Sequence, residues 1–212
     1  MIRAIFWDND GVLVNTEELY YRATRDVLRQ IGMEFTVDQY RQVFLKDNCG
    51  PWSMVREKGF DDAAIEQMRA ARNNLYANYL QTDDIVIPGV EQVLAEMATH
   101  FTMGIVTSSK KDHFDIIHRR IDCLRYIDFV IAHGDYRLAK PDPEPYLMAI
   151  RKSGYSAEEC LVIEDSERGL RSAKAANLAC WIIPGPLTQD SDFSRADKII
   201  SSLSEIPQQL LP

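Results

Sequence analysis

The chain has 212 residues, 46% of them apolar, and its 24 basic against 32 acidic residues leave a formal charge of -8. That balance argues against a nucleic-acid or anionic-membrane partner. It supports one α/β domain or a core with a smaller insert, and it still admits a small anionic substrate, because a metal ion and a few basic groups reverse the potential locally. Cys49, Cys123, Cys160 and Cys180 are scattered with no CxxC pair, a pattern of reduced thiols rather than of a zinc site or disulfide frame. Charge at Arg3 and Asp8 interrupts any leader-like apolar start, and no later apolar run is long enough for a bilayer, so a cytoplasmic protein is expected.

The first stretch, Ile2 to Trp7, is apolar except for Arg3 and reads as a buried strand. It runs into Asp8-Asn9-Asp10-Gly11, two carboxylates two residues apart followed by a glycine that permits a sharp turn. Asn15-Thr16 then offers a helix N-cap, and Leu19, Ala23, Val27 and Ile31 recur every fourth residue up to Gly32. Thr36 with Gln39 forms a capping box for a helix carrying Val37, Tyr40 and Phe44. After Cys49-Gly50-Pro51 a short helix ends near Gly59, and a longer one from Asp61-Asp62 presents Ile65, Met68, Leu75 and Tyr79. Residues 15–85 are thus expected to be helical throughout, an inserted module in an otherwise alternating chain.

From Pro88-Gly89 helices and apolar strands alternate. Strands are expected at 102–106, ending in Thr107-Ser108-Ser109; at 129–132, followed by the Lys140-Pro141-Asp142-Pro143 turn; at 160–163, ending in Glu164-Asp165-Ser166; at 180–183; and at 199–200. Such alternation implies a parallel sheet covered on both faces, with a crevice at the carboxyl ends of its strands. Two acids at the end of the first strand suit an aspartate nucleophile, a second acid that handles protons, and a hard metal ion. Thr107 and Ser108 supply hydroxyl and backbone N–H donors for phosphate oxygens, whereas Ser109 reads as a helix cap. Lys140 stands in a turn stiffened by two prolines, and Glu164-Asp165 adds carboxylates at another strand end.

In these four stretches the sequence resembles the haloacid dehalogenase-like hydrolase superfamily. Within it, the likeness is to the branch with a helical cap after the first strand, which holds phosphoglycolate phosphatases, sugar phosphatases and β-phosphoglucomutases. Asp8-Asn9-Asp10-Gly11-Val12 matches the DxDG[TV] signature, Thr107-Ser108 the hydroxyl motif, Lys140-Pro141 the lysine motif and Glu164-Asp165 the acidic motif, in order along the whole chain. The resemblance implies a Rossmann-like, doubly wound core of residues 1–14 and 86–212 with a helical cap of residues 15–85. It also implies an Asp8 nucleophile and an Asp10 acid–base. Mg²⁺ would be held by Asp8, Asp165 and the Asp10 carbonyl, with Glu164 completing the acidic site. Thr107, Ser108 and Lys140 would take the phosphoryl oxygens.

The expected protein is a Mg²⁺-dependent phosphatase of a small phosphorylated metabolite, monomeric or a small homo-oligomer. The presence of Asp10 argues against dehalogenation, since the dehalogenases of the superfamily lack that second aspartate. A phosphosugar mutase is the alternative enzyme, and a non-catalytic binding protein on the same fold is the alternative from another class. Against the mutase, Tyr20 stands where β-phosphoglucomutases place a hinge histidine, and Lys46-Asp47 where they have Lys-Gly. Lys46 and Arg72 are candidate substrate contacts in the cap, each equally readable as part of a solvated face. Trp52 can line the cap pocket but reads first as a staple inside the cap, Trp7 reads as core, and His100, His113, His118 and His133 read as structural or surface residues.

Overall fold

The computed structural model describes residues 1–211. Six strands form a wholly parallel sheet in the order β3-β2-β1-β4-β5-β6: β1 (Ala4–Trp7), β2 (Thr102–Lys110), β3 (Phe129–His133), β4 (Cys160–Glu164), β5 (Ala179–Ile182) and β6 (Lys198–Ile199). β1 lies at the centre, Ile5 opposite Met103 on one side and Leu161 on the other. Its side chains alternate, so Ala4 and Phe6 enter one apolar layer while Ile5 and Trp7 enter the other. Both layers are buried under helices, which is why β1 reads as an unbroken apolar run. Trp7 is fully buried, as expected, and its indole N–H donates to Met103 Sδ at 3.3 Å. The strand order reverses between β1 and β4, the place where such sheets open a crevice.

Between β1 and β2 come the helices α1 (Glu17–Arg29), α2 (Val37–Tyr40), α3 (Trp52–Glu57), α4 (Asp62–Thr82) and α5 (Val90–Met97). The Thr36/Gln39 capping box forms, and Asp61 caps α4 by accepting from the Ala64 N–H at 2.8 Å. α2 continues as a π-helical turn, Arg41–Lys46, closed by the Asp47 N–H on the Gln42 carbonyl. α4 buries Ile65, Arg72, Tyr76 and Leu80, one position on from the expected Leu75 and Tyr79, which are half-buried at its flank. The reason is that α4 serves two clusters, Ile65 packing with α2 and α3, Tyr76 and Leu80 with α1. The two chain crossings around residues 14 and 86 run side by side, with a Val14–Val86 bridge and the Asn15 N–H on the Ile85 carbonyl at 3.0 Å.

The remaining helices, α6 (Lys111–Arg120), α7 (Glu144–Ser153), α8 (Glu167–Ala175) and α9 (Glu205–Leu210), cover the sheet. Two local expectations change. β2 does not stop before Thr107 but runs to Lys110, with a register shift against β3 after Val106. Thr16 occupies the N-cap position of α1 without capping it, because its hydroxyl is committed elsewhere. Among the described residues no helix is long and apolar enough to cross a membrane, and all four cysteines are free.

Candidate active site

Asp8 leaves β1 with its N–H on the Ile163 carbonyl of β4 at 2.9 Å, so the sheet itself fixes its backbone. Its Oδ1 accepts from Lys140 Nζ at 2.6 Å, and the same ammonium donates to Glu164 Oε1 at 2.7 Å and to the Val106 carbonyl at 2.8 Å. Three acceptors satisfy all three N–H bonds of a lysine that is 2% exposed. Burial opposes the charge, but Asp8 and Glu164 outweigh it and hold Lys140 above the ordinary lysine value, so it stays an ammonium. Burial, Glu164 and Asp10 push the Asp8 carboxyl up to about 8 against the pull of Lys140.

Glu164 is the anchor of this group. Oε1 accepts from Lys140 and from the Tyr146 hydroxyl, and Oε2 from the N–H groups of Asp165 and Ser166 and from the Ser166 hydroxyl. Despite the burial penalty, Lys140 and these donors keep its carboxyl below the usual range. Its fit depends on Gly169, where a Cβ would come within 1.8 Å of Oε1. Ser166 also caps α8, accepting from the Gly169 N–H at 3.2 Å.

Asp10 sits in a cradle of hydroxyls. Oδ1 accepts from Thr16 at 2.6 Å, and Oδ2 from Ser109 at 2.7 Å and from Thr107 at 3.2 Å. Ser109 is therefore a site residue and no helix cap; α6 starts after Lys110 with no side-chain cap. The signal was available: in a strand, residues two apart share a face, so Thr107 and Ser109 point the same way once β2 continues. Ser108 lies at the cleft with its buried Oγ unpartnered. Asn9, fully buried, accepts three turn N–H groups on its carbonyl and lies 2.9 Å from His118 Nε2. Burial lowers His118 to about 4, so the ring is neutral.

Asp8, Glu164 and Asp165 bring three carboxylates together, an oxygen of each within 4.8 Å of the others. Burial and the neighbouring acids raise Asp165 well above the usual carboxyl range. Gly11, at φ +85°, turns the chain where a Cβ would lie 2.2 Å from Asp165 Oδ2. One ammonium cannot balance three buried carboxyl groups, which is why Asp8 and Asp165 hold their protons more tightly than usual, and an all-oxygen donor set of this kind fits a hard divalent cation that would take the place of those protons. Glu164 has its oxygens committed to five protein donors, so Asp8 and Asp165 carry the free valence.

Over the strand ends the helical segment closes a cleft of about 310 Å³, small among ligand pockets. Asn48, at φ +53°, clips the segment to the core: its amide N–H donates to the Lys140 carbonyl at 2.9 Å and its Oδ1 accepts from Arg168 at 2.8 Å. Glu17 lines the cleft, raised by burial against the pull of Arg168, and accepts from the Tyr40 hydroxyl at 2.5 Å. Glu17, Asn48 and Arg168 were invisible in the sequence, because nothing distinguishes a cleft-facing polar residue in a first turn or loop from a solvated one. Of the candidate cap contacts, Arg72 lines the cleft, whereas Lys46 lies outside it, 3.8 Å from Glu167. Trp52, His113 and His133, read as structural, also reach the cleft wall.

Comparison with known proteins agrees with this geometry. The family model of the haloacid dehalogenase-like hydrolases matches residues 5–183. Protein CbbY of Cereibacter sphaeroides is 31% identical over 221 residues, 97% of this chain and 94% of that protein. A phosphorylated carbohydrates phosphatase of Thermotoga maritima is 26% identical over 182 residues, 84% of this chain and 82% of that protein. Among solved structures, CbbY from Rhodobacter sphaeroides in complex with xylulose-1,5-bisphosphate aligns with a TM-score of 0.82 at 26% identity, covering 97% of this chain and 96% of that one. A β-phosphoglucomutase from Clostridium difficile shares the fold, with a TM-score of 0.81 at 20% identity over 97% of this chain and 93% of that one.

Proposed function

The chain belongs to the haloacid dehalogenase-like hydrolases and is a hydrolase of phosphate esters, and from that premise we propose that it acts on a small phosphorylated sugar through a covalent aspartyl phosphate, with Mg²⁺ as cofactor. The observation that carries this reading is the pairing at the strand ends: an Asp8 carboxylate pinned by Lys140 beside an Asp10 carboxyl group, the acid of the first step, cradled by three hydroxyls.

Lys140 fixes Asp8 Oδ1, which leaves Oδ2 to attack phosphorus. The ester P–O bond breaks as the Asp8–phosphorus bond forms, and Asp10 delivers its proton to the departing sugar oxygen. Asp10 then takes a proton from water as that water attacks the phosphorus, and Asp8 is released with inorganic phosphate. Thr16, Thr107 and Ser109 hold Asp10 in place for both transfers. Lys140 and the Ser108 backbone N–H meet the charge on the phosphoryl oxygens, and the Thr107 hydroxyl would join them when it turns from Asp10 to a bound phosphoryl group. Asp8, Asp165 and the Asp10 carbonyl would hold Mg²⁺, which when bound neutralises phosphoryl and carboxylate charge. Glu164 acts through Lys140, whose ammonium it orients. Residues 15–85 act as the cap that closes over the core of residues 1–14 and 86–212 and excludes water.

The test is phosphate release from a panel of phosphorylated sugars with and without Mg²⁺, wild type beside Asp8→Asn. Metal-dependent release that disappears in Asp8→Asn supports the proposal. Isomerisation of a sugar phosphate without free phosphate would replace it with the mutase.

A further inference from the structure

Asn9 stands between Asp8 and Asp10, fully buried, with its carbonyl taken up by the turn N–H groups of Val12, Leu13 and Val14. Its side chain faces two groups at once. Nδ2 donates to Asp10 Oδ2 at 3.3 Å, and Oδ1 lies 2.9 Å from Nε2 of His118 on α6. The carboxyl group settles which way each partner points. A reversed amide would set its own oxygen against the Asp10 oxygen, so the N–H side faces the acid. Oδ1 then needs a donor from His118, which makes Nε2 the protonated nitrogen of a neutral ring. Nδ1 is left as a bare acceptor, and it is buried without a hydrogen-bond partner. Phe114, one turn earlier on α6, packs against the ring at a centroid distance of 4.2 Å. Asp10 and Asp115 are the charged groups that bear on it, and together they do not outweigh burial.

This amide differs in kind from the rest of the cradle. Thr16, Thr107 and Ser109 present hydroxyls, which accept as readily as they donate and can turn as Asp10 gains or loses its proton. An amide N–H only donates. It keeps hold of Oδ2 in both states of the acid, and so opposes rotation of the carboxyl group about its own axis. Thr107 is also drawn away when a phosphoryl group binds, which leaves Oδ2 to Ser109 and Asn9. We propose that Asn9 is a positioning residue for Asp10, with its amide set by His118, and that the pair aims the acid at the departing sugar oxygen. This rests on the phosphatase reading, in which Asp10 gives its proton to that oxygen as the P–O bond breaks.

Leaving groups separate aim from mere structure. An alkoxide needs the acid's proton as it departs, whereas p-nitrophenolate and acetate leave without one. With Mg²⁺ supplied, kcat/KM, which covers the steps up to that departure, is measured on three substrates. These are a sugar phosphate, p-nitrophenyl phosphate and acetyl phosphate. In Asn9→Leu it is expected to fall about 10- to 100-fold on the sugar phosphate and less than about 3-fold on the activated pair. His118→Leu should show the same pattern, and should add nothing in the Asn9→Leu background. His118→Gln, whose amide N–H can replace Nε2–H, should recover most of the loss. Equal losses on all three substrates, or no loss on any, in protein shown by its melting curve to be folded, overturn the positioning role. Additive losses overturn the pairing with His118. Should Asn9→Leu not fold, the two His118 variants decide between these outcomes by themselves. Absence of phosphate release by wild type from every sugar phosphate would instead overturn the phosphatase reading, so the two failures are distinguishable.

Discussion

The two walls of the cleft solve the problem of buried charge in opposite ways. At the sheet, Lys140 is saturated by Asp8, Glu164 and a carbonyl, and Glu164 by five donors, so these two charges have protein partners before any ligand arrives. On α4, Arg72 is equally buried, yet it has rings and one neutral amide where a carboxylate would be expected. The first arrangement is a rigid instrument, preorganised for whatever phosphoryl group is presented. The second leaves a buried guanidinium with no carboxylate beside it.

The largest expected effect removes the instrument's working atom. Asp8→Asn should cut phosphate release on the order of 10⁴-fold or more, measured as single-turnover rate. Next comes the pairing around it. Lys140→Met leaves Asp8 and Glu164 buried without their cation and should cost about 3–5 kcal/mol of stability by urea unfolding. A loss below 1 kcal/mol would show that the core charges do not depend on one another. Ser109→Ala removes one charge-assisted hydrogen bond from Asp10 and should lower kcat roughly 10- to 100-fold with little change in KM. An unaltered kcat would mean that the Ser109 bond does not position Asp10.

His118 gives a pH test of the same wall. Its folded value of about 4 lies below the ordinary 6.5, so the unfolded chain binds the proton first as pH falls. The cost of keeping the ring neutral is absent above 6.5 and grows as pH drops toward 4. Wild type should therefore lose on the order of 2 kcal/mol relative to His118→Gln across that window. Parallel stability curves would mean that the ring titrates normally. The smallest effect, and the one of opposite sign, belongs to the other wall: Arg72→Met should leave ligand-free stability unchanged or raise it by about 1 kcal/mol. A melting temperature several degrees lower would mean that Arg72 is structural, and the contrast between the walls would collapse.

Much of this molecule could be read along the chain, and the division follows physics. The strands of the core are short apolar runs, and the polar residues that close a parallel strand face one edge, so Asp8 and Glu164-Asp165 were legible, while Thr107 was legible as polar but lies within β2 and Lys140 was placed by the proline turn after β3. The cap's helices were legible from their spacing and caps, while the inner face of α4 was misplaced by a residue because the helix packs on two sides. Thr16 was assigned to a cap because a threonine before a glutamate-rich turn usually is one. Only the return of the chain past Asp10 gives its hydroxyl a better acceptor. Trp52 and Arg72 make the same point from the other direction, since an aromatic staple and a solvated arginine become a cleft wall only when α3 and α4 meet.

Asn48 has one more consequence, for timing. Its single amide holds the Lys140 carbonyl on one side and Arg168 on the other, and it arrives on the cap loop. On the proposed mechanism, a cap that lifted would take this partner from the lysine turn and the arginine in the same event, so the open enzyme would be detuned as well as uncovered. Idle molecules between turnovers would then have little capacity to attack stray esters. The clock of the proposed cycle would be the dwell of the lid, which would keep an aspartyl phosphate under cover until the alcohol had gone and a water had taken its place.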